Sequence, residues 1–594
     1  AMLSDLNVAS KQALSQMFDS TIGAGTLLLP FGGTRMRTPI QAMAALIVVP
    51  GCKSSTASLA SWACDPYLMQ ANPFEGAFLA VVHSLAKVVA AGGDWDQTYL
   101  TFQEYFGRPG DDSRRWGVVA SALLGAYKAQ MLFGKAAIGG KDSMSGSFKH
   151  LDVPPTLVSF AVSVASKDDV LSPEWKKAGS KLYLLQAEQQ RQMPALFEQV
   201  GRLVKSKQVL SCWALGYGGI AEALAKMALG NNIGCTVTAD LDLLCKRYGA
   251  FLVECDQALP LEGTYIGYTT QKDELCLPFA RMDLEHVHRL LVNPLTSVYG
   301  DLEKRDEDMA FPTLSYTRRA RTRSHYPVKK PTVLLPVFFG TNCEYDVERA
   351  WKACNIDCKT LVINTQTEQD VRNSIVRLRD ELRRSQILFL SGGFSAADEP
   401  DGSGKFIAAF LRNPLIKEEI ANLLEQRDGL VGGICNGFQA LVQLGLLPHG
   451  SITTINEHDP LLDYNRSGRH ISTMVRTRVS STLSPWFSEY EVGQVQLLPI
   501  SHGEGRFTAD SDTLKALAQA GQIASQYVDE HAQAAPFSID NPNGSLYAVE
   551  ALSSADGKVF GRMAHSERAI DKLYRNVPVD ADIGLFMGAA NYVR

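Results

Sequence analysis

Five residues in the last third of the chain, Gly433-Ile434-Cys435-Asn436-Gly437, have the types and spacing for nucleophilic chemistry. They sit where an apolar run, Leu430 to Ile434, gives way to a helical pattern from about Gly437 to Leu446. Glycines two positions either side of a nucleophile let the backbone turn sharply and lift the central side chain above a sheet. A cysteine there also lies beside a helix N-terminus, whose partial positive charge favours the thiolate. A buried strand-end cysteine with glycines for packing would carry the same pattern. A partner follows downstream: Val559-Phe560-Gly561-Arg562-Met563 reads as a strand leading into Ala564-His565-Ser566-Glu567. On an extended segment His565 and Glu567 project to one side. The carboxylate then holds the imidazole while the imidazole takes or returns the cysteine proton. A lone His-x-Glu is more often a surface pair; with a cysteine elbow in the same α/β domain it gains weight. Leu388-Phe389-Leu390-Ser391-Gly392-Gly393-Phe394 is a strand running into a double glycine. Its backbone N–H groups, with that of Asn436, supply two oxyanion donors, each typically worth about 3 kcal/mol in a transition state; an ordinary turn is the plainer reading.

These residues need a scaffold, and the chain after residue 331 reads as one. Val333 to Val337, Cys358 to Ile363, Ile387 to Leu390 and Leu430 to Ile434 are apolar strands. Helical patterns at Glu344 to Cys354 and Val371 to Arg383 separate the first three. Such alternation predicts a mostly parallel sheet covered by helices. A basic, proline-punctuated seam precedes it: Arg318, Arg319, Arg321 and Arg323, then Pro327, Lys329, Lys330 and Pro331. It is read as a solvated linker over 318–331 in preference to an anion-binding patch. Upstream, a Gly-rich opening (Ile22 to Thr34) and a helical stretch from Gly76 to Ala91 lead to the loop Gly139 to Gly146. Pro154-Pro155 follows, so a boundary is placed near residue 150. Ser211 to Gly219 reads as strand and turn before an Ala-rich helix that runs to Leu229. The expected domains are 1–150, 151–317, the linker 318–331 and 332–594.

Composition sets the bounds. At roughly 150 residues per domain, 594 residues allow about four domains. Hydrophobic residues at 45% and charged residues at 20% are ordinary globular values. Lys+Arg 58 against Asp+Glu 63 leaves −5, which gives no footprint for a nucleic-acid partner. The longest apolar run, Ala42 to Pro50, is half a membrane span, and Ala1 to Asp5 lacks signal-peptide character. The 11 cysteines are dispersed with no C-x-x-C pair, as expected of free thiols in a reducing cytoplasm. No zinc, HExxH or EF-hand spacing occurs, so no metal ligand is expected. Gly404-Lys405 is not a Walker loop, and Gly216-x-Gly218-x-x-Ala221 is a dinucleotide fingerprint without a surrounding βαβ unit.

Gly433 to Gln439, Ser391 to Ser395, Ser501-His502-Gly503-Glu504-Gly505-Arg506 and His565-Ser566-Glu567-Arg568 resemble class I glutamine amidotransferase domains. Specifically, they resemble the glutaminase of the phosphoribosylformylglycinamidine synthase (formylglycinamide ribonucleotide amidotransferase) family. Phe18 to Gly23, Ser55 to Leu59 and Gly140 to Ser145 are similar to the second synthetase half of the family's large single-chain form. The resemblance implies a multidomain α/β and α+β fold. The second half of an aminoimidazole-ribonucleotide-synthetase-like pseudo-dimer would be followed by a class I amidotransferase α/β domain. It also implies an ATP- and magnesium-dependent ligase of purine biosynthesis that converts formylglycinamide ribonucleotide to the amidine with ammonia from glutamine.

Carried over, Cys435 would form a glutamyl thioester, His565 would be general acid/base, and Glu567 would orient it. Gly393 and Asn436 would donate to the oxyanion. His502 is expected on a loop near the glutamine pocket. Lys141, Asp142 and Ser143 would touch phosphate across the pseudo-dimer interface, or else form a structural loop. The family usually reads His-Pro-Glu; Ser566 is expected to loosen that turn. The family's auxiliary magnesium ligands fall on Gly51, His83, Lys87 and Tyr217, which are not oxygen-rich ligands. That site is therefore expected to be degenerate, with Lys53 or Lys87 supplying charge. The first synthetase half is expected as a missing partner, and self-association of this chain through an apolar face is a corollary. The alternatives are a Cys-His-Glu hydrolase or peptidase, and a scaffold-plus-glutaminase subunit that needs a partner.

Overall fold

Burial alternates strictly along Thr156–Ser166, as a strand with one face on a core requires. The computed structural model describes residues 1–49, 52, 54–258, 263–301, 309–319, 321–398 and 402–594. Gly51 and Lys53 lie outside them. The chain folds as two compact units.

The first unit comprises Ala1–Ala13, Gly25–Tyr299 and Leu573–Pro578. Its opening elements are β1 (Ala42–Leu46), β2 (Thr56–Ala63), α1 (Pro73–Ala90), β3 (Tyr99–Tyr105), α2 (Ser113–Phe133), β4 (Ala137–Lys141) and β5 (Thr156–Ser166). The strands form a five-stranded sheet in the order β1-β2-β5-β3-β4. This sheet draws on chain beyond residue 150, because β5 pairs antiparallel with both β2 and β3. Asn72 caps α1, accepting from the Glu75 N–H at 3.2 Å, and Pro73 occupies the first turn, where its missing N–H is harmless. By length and composition α1 could cross a membrane. Phe78, Val81, Leu85 and Val88 are instead fully buried in the unit's core.

A seven-stranded sheet follows. It contains β6 (Lys181–Leu185), β7 (Ser211–Ala214), β8 (Gly234–Val237), β9 (Phe251–Cys255), β10 (Thr264–Thr270), β11 (Glu274–Leu277) and β12 (Ala280–Asp283), ordered β7-β9-β6-β10-β8-β11-β12. The Ala-rich helix Gly219–Leu229 is buried along nearly its whole length beneath it.

The second unit comprises Leu14–Ala24, Gly300–Lys572 and Val579–Arg594. Its strands are β13 (Thr332–Val337), β14 (Asp357–Val362), β15 (Ile387–Leu390), β16 (Leu430–Ile434), β17 (Ile471–Val479), β18 (Val495–His502), β19 (Ile523–Tyr527), β20 (Val549–Ser553) and β21 (Val559–Arg562). They order as β14-β13-β15-β16-β21-β20-β19-β17-β18. The first five are parallel, as the strand–helix alternation predicts, and the last four are added antiparallel. The expected helices form at Glu344–Ala353, Glu368–Leu382 and Asn436–Gln443. Trp351, Phe389, Trp486 and Phe586 meet edge-on or tilted around the core.

The basic seam is not a free tether. The Ser324 and Val328 N–H groups bond Tyr592 O and Val593 O at 2.7 and 2.8 Å, along the terminal helix Gly584–Val593. Asp428 draws the segment in: it is buried, it accepts from the His325 N–H at 2.8 Å, and it pairs with the Arg321 guanidinium. Arg318, Arg319 and Arg323 remain exposed.

Candidate active site

In parallel α/β sheets, ligands gather outside the carboxyl ends of the strands. Four neighbouring strands here, β13, β15, β16 and β21, lead at those ends to Cys343, Gly392, Cys435 and His565 respectively. Cys435 is the turn between β16 and the helix Asn436–Gln443, with φ 52° and ψ −109°, a conformation rarely adopted by non-glycine residues. Its N–H bonds Arg562 O at 2.8 Å, fixing the elbow to β21. Gly437 has no room for a side chain: a Cβ would lie 2.1 Å from Leu390 O. The Cys435 thiol is 3.7 Å from Ser501 O, and the residue is 5% exposed.

His565 is held by its N–H to Pro499 O at 2.8 Å. Its Nδ1 lies 2.6 Å from Glu567 Oε1, and both residues are buried. The segment is not extended as the sequence suggested. Ser566–Arg568 is a single 3-10 turn, and the turn, not strand alternation, brings the carboxylate back to the ring. Burial and the Arg568 charge oppose a charged imidazole. The Glu567 carboxylate and the Cys343 and Cys435 thiols outweigh them and hold the His565 pKa well above its ordinary value. Burial likewise pushes Glu567 up, but the His565 and Arg568 charges bring it below its ordinary value. A carboxylate-anchored imidazole facing a thiol can shuttle a proton to and from that thiol.

Gly393 has φ 145° and bridges Thr341. The hydrogen bonds of that bridge run from Phe394 N–H to Gly340 O at 2.9 Å and Asn342 N–H to Gly392 O at 3.4 Å, so the bridge leaves the Gly393 N–H unused. Asn436 opens its helix, where an N–H has no intrahelical acceptor. Its side-chain oxygen accepts from the Ser395 N–H at 3.2 Å, joining the turn after β15 to the elbow.

His502 ends strand β18 instead of occupying a loop, because the chain reverses at once into the strand Glu504–Thr508. Its Nδ1 lies 3.0 Å from Asn465 Oδ1, and burial, with the neighbouring His470 and His565, pushes its pKa down to about 3. A ring so disposed is neutral at physiological pH. Lys141, Asp142 and Ser143 belong to the first unit. Lys141 ends the edge strand β4 and is exposed, as is Asp142, while the Ser143 N–H bonds Glu104 O at 3.1 Å.

Two residues near the histidine were given no role from the sequence, and only Arg568 lay within a motif. Cys343 is buried in the turn after β13, and Arg568 donates to its sulfur at 3.2 Å. Arg568 also donates to Asp19 Oδ2 and Thr21 Oγ1, each at 2.8 Å. Only the rule that sites form at strand carboxyl ends could have singled out Cys343.

The first unit contains a cavity of about 410 Å³ lined by Lys11, Trp62, His83, Lys87, Tyr217 and Glu222 among others. Lys87 Nζ bonds Trp62 O at 2.9 Å, and burial brings its pKa down to about 8. His83 Nδ1 is buried without a partner. The cavity's two carboxylates are already paired, Glu222 with Lys226 at 2.6 Å and Asp65 with Lys246 at 2.8 Å. Magnesium takes near-octahedral oxygen ligands, so the described residues of this cavity do not fit it.

A family model described as a CobB/CobQ-like glutamine amidotransferase domain matches residues 330–593. Phosphoribosylformylglycinamidine synthase subunit PurQ of a Synechocystis species is 36% identical over 239 residues, covering 40% of this chain and 92% of the relative. The Synechococcus elongatus subunit is 32% identical over 252 residues, 42% of this chain and 94% of the relative. Among solved structures, Thermotoga maritima PurLQS matches at 25% identity and a TM-score of 0.33, over 45% of this chain and 100% of that one. Thermotoga maritima PurL complexed with AMPPCP matches at 13% identity and a TM-score of 0.37, over 53% of each chain.

Proposed function

The chain belongs to the phosphoribosylformylglycinamidine synthase family through its glutamine amidotransferase region, and from that premise we propose that the second unit hydrolyses glutamine at Cys435. The observation that carries the reading is a thiol on a strained strand–helix elbow beside a buried histidine whose Nδ1 lies 2.6 Å from a carboxylate.

Cys435 attacks the carboxamide carbon of glutamine, and His565 takes the thiol proton. The Gly393 and Asn436 N–H groups receive the negative charge that develops on the oxygen. The tetrahedral species collapses to a glutamyl thioester as His565 returns the proton to the departing ammonia. Water, deprotonated by His565, then releases glutamate and restores the thiol. Glu567 keeps the ring oriented throughout and balances its charge.

The ammonia serves ATP-dependent conversion of formylglycinamide ribonucleotide to the amidine. In this reading residues 1–317 act as one synthetase half beside a first half supplied elsewhere, and Lys141, Asp142 and Ser143 face phosphate from that partner. ATP and magnesium belong to the complete synthetase. What supports a degenerate magnesium-nucleotide site in this half is the cavity at Lys87, lined by the ammonium groups of Lys11 and Lys87 and by carboxylates already paired with lysines.

The test is glutamate release from glutamine by this chain beside Cys435→Ala, with and without ATP and formylglycinamide ribonucleotide. Release that depends on Cys435 is expected. If no condition gives release, covalent labelling by a glutamine analogue decides: an unlabelled Cys435 overturns the assignment.

A further inference from the structure

Helix α2 turns small residues inward: Ala122, Gly125, Ala126 and Ala129 are buried, and a Cβ on Gly125 would lie 2.0 Å from Phe74 O of α1. Its opposite face is apolar too, and among the described residues it is left open. Trp116 is 47% exposed, Leu123 43%, Leu124 and Tyr127 58% each and Met131 65%, with the exposed Ala120 between them. At 3.6 residues per turn these six positions fall in one band about 100° wide that runs about 22 Å along the helix. Single exposed apolar side chains need no explanation, whereas a continuous band of them marks an interaction surface.

The order of the band points to its occupant. The intervals between its members are 4, 3, 1, 3 and 4, the same read from either end. A two-fold pairing of identical surfaces requires such a match on reversal, and an unrelated partner imposes no such condition. We propose that this face of α2 pairs with a second copy of the chain, the two helices packing antiparallel about an axis between Leu123 and Leu124. That operation sets the small Ala120 against the partner's Tyr127 and directs Trp116 towards the partner's Met131. Leu123 and Leu124 each come beside their own counterparts at the axis. Trp116 Nε1 donates to Gly110 O at 2.9 Å, so the indole is already held and loses little freedom on pairing. The charges on α2 do not oppose the approach. Arg115 pairs with Asp152 at 2.8 Å, and Lys128 Nζ lies 4.9 Å from the centre of the Phe78 ring, both within their own subunit. Reversal brings Arg114, Arg115 and Lys128 level with the partner's Phe133, Leu132 and Val119, so like charges do not meet. The surface is remote in kind from glutamine chemistry, and the pairing does not rest on the proposed glutaminase.

The experiment is sedimentation velocity on the full chain from about 1 to 100 μM, a range over which mass action reveals reversible dimers. The parent is expected to shift from monomer to dimer as its concentration rises. Leu124→Glu, which changes an exposed side chain and leaves the fold intact by circular dichroism, should remain monomeric throughout. Phe148→Glu, 70% exposed and outside the band, should dimerise like the parent. Cross-linking then reads the direction of the helices, in a chain whose exposed thiols Cys52 and Cys245 are changed to serine. Leu124→Cys should form an intermolecular disulfide under mild oxidation. Met131→Cys should not, because its counterpart lies about 22 Å away along the antiparallel helix, whereas a disulfide spans Cα atoms less than about 7 Å apart. A parent that stays monomeric overturns the pairing and leaves the face to a different protein. A dimer that survives Leu124→Glu places the interface elsewhere and overturns it as well. Efficient cross-linking through Met131→Cys overturns the antiparallel arrangement in favour of parallel helices.

Discussion

Arg562 Nη1 donates to the Ser566 hydroxyl at 2.9 Å, tying the residue between His565 and Glu567 to the end of β21. Arg562 is fully buried and also donates to both oxygens of Glu550, at 3.0 and 2.9 Å. The serine was expected to loosen a turn that usually contains proline. It is instead pinned, through a hydroxyl acceptor that a proline ring does not have.

Ser566→Ala removes that acceptor and leaves a buried guanidinium N–H unpaired. The expected loss is about 1–3 kcal/mol of stability, read from the midpoint of urea unfolding. An unshifted midpoint would mean that Glu550, Thr477 and Gln496 satisfy Arg562 without the serine.

Glu567→Gln withdraws the charge that raises the His565 pKa. Glutamate release should fall by about 10²–10⁴-fold. The acidic limb of its pH profile should also move to lower pH, because a less basic ring is neutral over a wider range. A reduced rate with an unmoved limb would assign that limb to another group.

The His502 pKa of about 3 has a definite sign in stability. The unfolded chain, with an ordinary histidine near 6.5, binds the proton that the folded one refuses. Stability attached to this ring is thus complete above about pH 6.5 and is lost as pH falls towards 3. His502→Gln should flatten the acid side of the stability curve by about 2–4 kcal/mol relative to the parent. Parallel curves for parent and variant, followed by chemical denaturation between those pH values, would refute it.

Gly437→Ala places a methyl group 2.1 Å from Leu390 O. Backbone on both sides of the elbow must move, at a cost of about 3 kcal/mol. Lower thermal stability and loss of Cys435 labelling by a glutamine analogue are expected together. A variant with parental melting behaviour would show that the elbow tolerates a side chain.

The strand–turn–helix elbow at Cys435 was legible because its determinants are local: five consecutive residues specify strand end, turn and helix start. The parallel core of the second unit was legible for a similar reason, since apolar runs such as Val333 to Val337 and Leu430 to Ile434 alternate with helical patterns. Cys343 was not, because its approach to His565 depends on strand order, and nothing near residue 343 encodes which strand lies three places away. The same holds for Asp19 and Arg568, which meet across 549 residues of chain. The 3-10 turn at Ser566–Arg568 was misjudged as extended because a strand precedes it, and its hydrogen bond to Arg562 requires three-dimensional knowledge of where that guanidinium points. The basic seam read as a tether because its partners, Asp428 and the terminal helix, lie far along the chain.

Leu14–Ala24 belong to the second unit, while Leu573–Pro578, nearly at the other end, belong to the first. A genetic map of this chain would for that reason mislead anyone who scored lesions by position. A missense change at Asp19 removes a carboxylate bound to Arg568 and should be scored with defects of the unit formed mostly by residues after 300. A lesion at Asn576, far from the rest of the first unit in sequence, would strike that unit, because its side chain bonds both the N–H and the carbonyl of Leu29.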